Sequence, residues 1–201
     1  MNLIERVKNI LITPAKEWDV IAAEQPDTGK IITGYVLPLA GAAALAAFIG
    51  HSFIGSMFGV GLFSIKWGVY HAVTVLIQGI CAVFISALVI DALAPSFGAE
   101  KNMGRSIQLV SYSLTPMWIG GLLAIIPILG IIGVLAGLYG FYLLFIGMPK
   151  LKKSPDDKQV SYFVVSLLVI FAVYIVVGLI LSLLLLPIMG LSYAIGVRSI
   201  M

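Results

Sequence analysis

Few side chains in this sequence are equipped for chemistry. Two histidines, one cysteine (Cys81) and nine carboxylates are its readiest bases, nucleophiles and metal ligands. Gly50-His51-Ser52 begins like a nucleophile elbow, but Ile54 stands where that turn requires glycine. The sequence has no HExxH pair and no phosphate-binding glycine loop followed by Lys-Ser/Thr. His51 and His71 stand 20 residues apart, and most acids lie outside the apolar runs, so no metal-ligand spacing arises. Cys81 sits inside an apolar run and reads as a small apolar packer. A single cysteine allows no disulfide framework and no cysteine-rich metal site.

What remains is polarity in apolar surroundings. Asp91 closes an apolar run, and a carboxylate in a membrane segment points by default to a proton or ion role. At the end of a span water can reach it, and then capping, or pairing with Lys101 or Arg105, is the alternative. His71 and Gln78 are seven residues apart and share a helix face, which suits hydrogen bonds between helices. With Asp91 they could instead line a polar path. Lys150, Lys152 and Lys153 could hold anionic lipid head groups at ~1 kcal/mol each, or serve topology alone.

The elements that position these residues are long and apolar. Hydrophobic residues make up 61% of the 201-residue chain and charged ones 10%, against ~25% charged in a soluble domain. This defines an all-α polytopic membrane protein. Five runs read as spans: 31–49, 69–92, 108–126, 129–147 and 160–186. The third and fourth form a tight hairpin over Gln108–Gly147, turning at Pro127 and Gly130. Each is about 19 residues, enough for ~28 Å of helix. Within the third, Pro116 cannot donate to the carbonyl of Tyr112, so a hydroxyl, a water or another helix must do so. In the fourth, Gly130, Gly133, Gly137 and Gly140 fall within roughly 80° of one another. Gly133 and Gly137 form a GxxxG pair that admits a close backbone neighbour. In the first span, Pro38 frees the carbonyl of Gly34.

Three regions follow: an amphipathic segment (1–30), a five-helix membrane domain (31–190) and a short tail (191–201). The spaced apolar residues Leu3, Ile4, Val7, Ile10 and Leu11 do not form the unbroken core of a signal peptide. Asn2 and Glu5 suggest a capping pair, and Thr13-Pro14 a stop and restart with Thr13 as N-cap. Two short helices at the membrane surface are expected, with Trp18 among the head groups; packing under the bundle is the alternative. Gly55–Gly59 lies in a Gly/Phe-rich connection able to hug or enter the membrane. Ser154-Pro155-Asp156-Asp157 reads as the start of the fifth helix, with Ser154 as N-cap, and Pro187 as its end. Five spans put ten Lys and Arg on the side of the N-terminus and two, Lys66 and Arg198, on the other. The positive-inside rule therefore predicts a cytoplasmic N-terminus, with the C-terminus on the opposite side.

Five spans in this orientation resemble the Yip family, the Ypt/Rab-interacting membrane proteins and their prokaryotic relatives. Ser111-Tyr112-Ser113-Leu114-Thr115-Pro116 is similar to the Gly-Tyr-Ser-Leu-x-Pro element of that family's third span. The stretch from Gly137 to Pro149-Lys150 resembles the end of its fourth. Glu5-Arg6-Val7-Lys8, Thr13-Pro14 and Trp18 look like the opening of its prokaryotic members. Ile32-Thr33-Gly34-Tyr35-Val36 stands where eukaryotic members carry Asp-Leu-Tyr-Gly-Pro, and Ser111 replaces the family glycine. The resemblance implies a non-enzymatic membrane protein without a cofactor, in a prokaryotic inner (plasma) membrane. No Rab-type GTPase partner is expected in such a setting, and no basic, aromatic-interleaved patch points to nucleic acid.

Two functions are carried forward. One is a scaffold or adaptor in the bilayer that associates with itself or with a membrane-protein partner. Its contact candidates are Tyr112, Pro116, Gly133, Gly137 and Gly140. The other is a small transporter or channel using His71, Gln78 and Asp91.

Overall fold

A computed structural model of the chain describes residues 2–54 and 64–188. The Gly55–Gly59 connection and the 191–201 tail therefore lie outside the described residues. The protein is an all-α polytopic membrane protein. Among the described residues, five helical stretches are long and apolar enough to cross a bilayer: Thr28–Ile54, Ile65–Phe97, Met103–Ile125, Gly130–Lys152 and Asp156–Leu184. All five match the apolar runs, and each overruns its run at one or both ends. The apolar run marks hydrocarbon thickness, whereas caps mark helix ends. Asp27, Ser64 and Asn102 each accept a bond from a backbone N–H three residues on, and so set three of those starts outside the apolar runs.

Two helices precede the spans, α1 (Leu3–Ile12) and α2 (Pro14–Ala23). The Asn2 side chain caps α1 by accepting from the N–H of Ile4 at 3.0 Å. Thr13 does not cap α2. Its hydroxyl donates backward to the carbonyl of Asn9 at 3.2 Å, and the missing N–H of Pro14 needs no partner. The pair does not place Trp18 among head groups. Ile10, Trp18 and Ile21 are fully buried against the bundle, so the packed alternative is the one realised. Gly147 makes this possible: a Cβ there would lie 2.7 Å from the Trp18 ring.

The first span starts as α3 (Thr28–Ile31), widens to a π-helical turn over Ile32–Val36 and continues as α4 (Leu37–Ile49), with a second π stretch at Gly50–Ile54. The N–H of Leu37 bonds the carbonyl of Ile32. The wide turn thus places Pro38 in the first turn of α4, where a missing donor is tolerated. The second span is α5 (Ile65–Leu93), extended by a 3-10 turn over Ala94–Phe97. The third breaks at Leu114 into α6 (Met103–Ser113) and α7 (Thr115–Gly121), followed by 3-10 turns at Leu122–Ile125 and Pro127–Leu129. The fourth is α8 (Gly130–Lys152), closed by Lys153 in the left-handed conformation (φ 49°).

The fifth is α9 (Asp156–Ile188). The Ser154 hydroxyl is buried with no hydrogen-bond partner, so it does not cap α9, and Pro187 lies inside the helix rather than ending it. This helix is peripheral: 6% of its most apolar stretch is buried, and Leu168, Phe171 and Leu183 point outward. Outward apolar side chains are what a bilayer requires.

Candidate functional site

Polar residues gather where α1 and α2 dock. Arg6, 4% exposed, donates to Glu17 at 2.5 Å, also pairs with Glu24, and lies 5.3 Å from the centre of the Tyr112 ring. A buried guanidinium needs such partners, because an unpaired charge inside a protein is strongly destabilising. Arg105 donates to the carbonyls of Ile21 (3.2 Å) and Glu24 (2.8 Å) and to Gln108 Oε1 (3.0 Å), which ties the end of α2 to α6. Below them Trp18, Tyr112, Tyr35 and Trp118 form an edge-to-face ladder with centroids 6.4, 4.8 and 6.3 Å apart. Sequence reasoning had missed Arg6, Glu17 and Glu24. Their signal lies in position: Arg6 and Glu17 share helix stripes with Ile10, Trp18 and Ile21 on either side of Thr13-Pro14.

The carbonyl that Pro116 leaves free has its partner one residue away. The Thr115 hydroxyl donates to the carbonyl of Tyr112 at 2.6 Å. That hydroxyl has one proton, so its 2.7 Å contact with Tyr35 is donated by the tyrosine. The first span is thereby pinned to the break in the third. Thr115→Val would orphan the carbonyl and the tyrosine hydroxyl together, whereas Tyr35→Phe would leave the carbonyl satisfied. The expected losses are about 1–3 kcal/mol for the first and about 1 kcal/mol for the second. Thermal unfolding in detergent measures both, and equal losses would contradict this direction of donation.

Asp91 does not pair with Lys101 or Arg105. Its Oδ1 accepts from Lys152 Nζ (2.8 Å), the N–H of Asn102 (2.7 Å) and the Ser106 hydroxyl (3.1 Å). Lys152 is fully buried and also donates to the carbonyl of Asn102 at 3.2 Å. It therefore clamps the second, third and fourth spans and is not placed to meet lipid head groups. Lys150 and Lys153 are exposed and paired with Asp19 (2.5 Å) and Glu100 (2.6 Å). His71 stacks on His51 with ring centroids 3.8 Å apart, a contact that their spacing in sequence had concealed. His71 and Asp91 stand 20 residues apart on one helix, roughly 30 Å at ~1.5 Å per residue, so the structure does not join them. The Gln78 carbonyl accepts from Tyr174 on α9 at 3.3 Å. Among the described residues no three His, Cys, Asp or Glu form a metal-ligand cluster.

The five glycines of α8 divide. A Cβ at Gly140 would lie 2.7 Å from the carbonyl oxygen of Ser113, and one at Gly133 would lie 3.2 Å from the backbone of Gly120. Gly147 receives Trp18. These three are spaced by seven residues, within about 20° of one line per step. Gly130 and Gly137 would meet nothing within 4 Å. Gly137 instead lines an apolar cleft of about 640 Å³ between the third, fourth and fifth spans, with Ser86 and Ser113 among its walls. Ser113 is 4% exposed and its hydroxyl has no hydrogen-bond partner. The segment around Pro116 thus works on two sides: Tyr112 belongs to the docked polar layer, while Ser113 faces the cleft. Pro116 is itself buried at the start of α7.

An apolar bundle of five spans, with charge at one end and an open lateral cleft, defines a membrane protein built around helix packing. The Yip1 domain matches residues 8–179, and the chain belongs to that family. It is similar to "Inner membrane protein YohC" of Escherichia coli strain K12, at 29% identity over 155 residues, covering 74% of this chain and 80% of that protein. The YohC of Escherichia coli O6:H1 matches to the same extent. No solved structure matches.

Proposed function

We propose that this chain is a non-enzymatic scaffold of the inner membrane that seats a transmembrane helix, of a partner or of a second copy, in the cleft beside Gly137. The observation that carries the reading is the make-up of the cleft wall. A Cβ on half-buried Gly137 would meet nothing within 4 Å, the buried Ser113 hydroxyl in the same cleft lacks a partner, and the flanking fifth span is barely buried. A buried hydroxyl without a partner is costly, and a neighbouring helix is the usual source of one in a membrane. The bacterial relatives carry an inner-membrane name, which supports that location. Ten basic residues against two support a cytoplasmic N-terminus and a C-terminus on the other side.

The test is photocrosslinking in intact membranes from Met117 and Phe141, both in the cleft wall, with Leu183 as an outward control. A discrete protein adduct at the cleft positions and none at the control is expected. Gly137→Leu should abolish that adduct while leaving the thermal midpoint of the purified protein within a few degrees. Lipid adducts alone at both cleft positions would overturn the scaffold reading.

A further inference from the structure

We infer that α1 and α2 form a re-entrant wedge whose tip stands among the acyl chains of the leaflet on the side of the basic loops, with Lys8 and Lys16 at the lipid phosphates. The pair descends along α8. Asp19 meets Lys150 near the end of that helix, and Trp18 packs beside Gly147. Leu11 then accepts from the Tyr139 hydroxyl at 2.9 Å. Tyr139 lies 13 residues before Lys152, which is roughly 20 Å along the helix axis. The turn at Thr13-Pro14 is thus carried well in from the polar end. On either side of Tyr139 in the sequence, Leu135, Leu138 and Tyr142 of the fourth span face outward.

One exposed stripe of the wedge, running from the tip to the open end, is ordered as a leaflet is ordered. At the tip Ile12 is 67% exposed, with Thr13 and Ala15 also exposed. Four residues from Ile12 in either direction come exposed Lys8 and Lys16, and seven residues away come exposed Glu5 and Asp19. Apolar, cationic and acidic positions follow one another at the helix rise, as hydrocarbon, phosphate and water do. Ile4 and Val20 sit at the open end beside the acids. Part of the backbone at the tip is also provided for. Tyr139 takes the Leu11 carbonyl, the Thr13 hydroxyl bonds the Asn9 carbonyl, and Pro14 has no N–H to satisfy. A turn inside hydrocarbon needs such partners, and one in water does not.

Spin labels test this on the full chain in nanodiscs of equimolar phosphatidylcholine and phosphatidylglycerol. They are attached at Ile12→Cys, Ala15→Cys and Asp19→Cys in a Cys81→Ala background, with Leu138→Cys as the lipid-facing reference. Oxygen is expected to relax the Ile12 and Ala15 labels several-fold more than an aqueous nickel chelate does, as at Leu138, while Asp19 shows the reverse. Nickel accessibility at both Ile12 and Ala15 equal to that at Asp19 would overturn the wedge. The readout does not depend on any partner in the cleft, so it fails or stands apart from the scaffold reading.

Discussion

Lys152→Ala is expected to destabilise the folded bundle by about 3–5 kcal/mol, because it leaves the Asp91 carboxylate buried without its cation. Asp91 and Lys152 join spans whose contacting residues are 61 apart in sequence, and Lys152 is fully buried with Asp91 nearly so. Lys150→Ala and Lys153→Ala should each cost about 0–1 kcal/mol, since both are exposed ion pairs. Asp91→Asn combined with Lys152→Met should recover much of the loss. The amide oxygen still accepts from Asn102 and Ser106, and methionine refills the volume without a charge. Thermal unfolding of the four proteins in one detergent measures this. Equal midpoints for Lys152→Ala and Lys153→Ala would show that the clamp contributes little.

That pair also shows what a sequence withholds. Lys101 and Arg105 are the obvious partners for Asp91 because they lie 10 and 14 residues away, just beyond the helix end. The true partner is delivered by packing, when the close of the fourth span meets the close of the second. The five spans needed no such information, because an apolar run of sufficient length states its own solution in lipid. The free carbonyl of Tyr112 was legible for the same reason. Proline removes a donor at a known position, and Thr115 stands next to it. The docking of α1 and α2 was legible only as amphipathicity. A stripe says that one face will be covered, and the residues that cover it, Gly147, Tyr112 and Tyr139, lie over 90 positions downstream.

The glycines of the hairpin formed by the third and fourth spans carry the second large expectation, and there the sign itself divides positions that look alike in sequence. Gly120→Ala should cost about 1–3 kcal/mol or more, because the new Cβ would sit 2.7 Å from the Cα of Gly133, and backbone can yield only by separating the two spans. Gly140→Ala meets the carbonyl oxygen of Ser113 at the same distance and should behave alike. Gly137→Ala meets nothing, and alanine favours a helix over glycine by up to ~1 kcal/mol, so its stability should be unchanged or raised. GxxxG suggested that Gly133 and Gly137 act together, but four residues turn a helix about 40° past a full circle. That rotation carries Gly137 out of the hairpin seam and into the cleft wall. Seven residues nearly close two turns, which keeps Gly133, Gly140 and Gly147 on the packed line. Unfolding midpoints in detergent decide between the two registers. A loss at Gly137 as large as that at Gly140 would mean that the seam follows the four-residue motif after all.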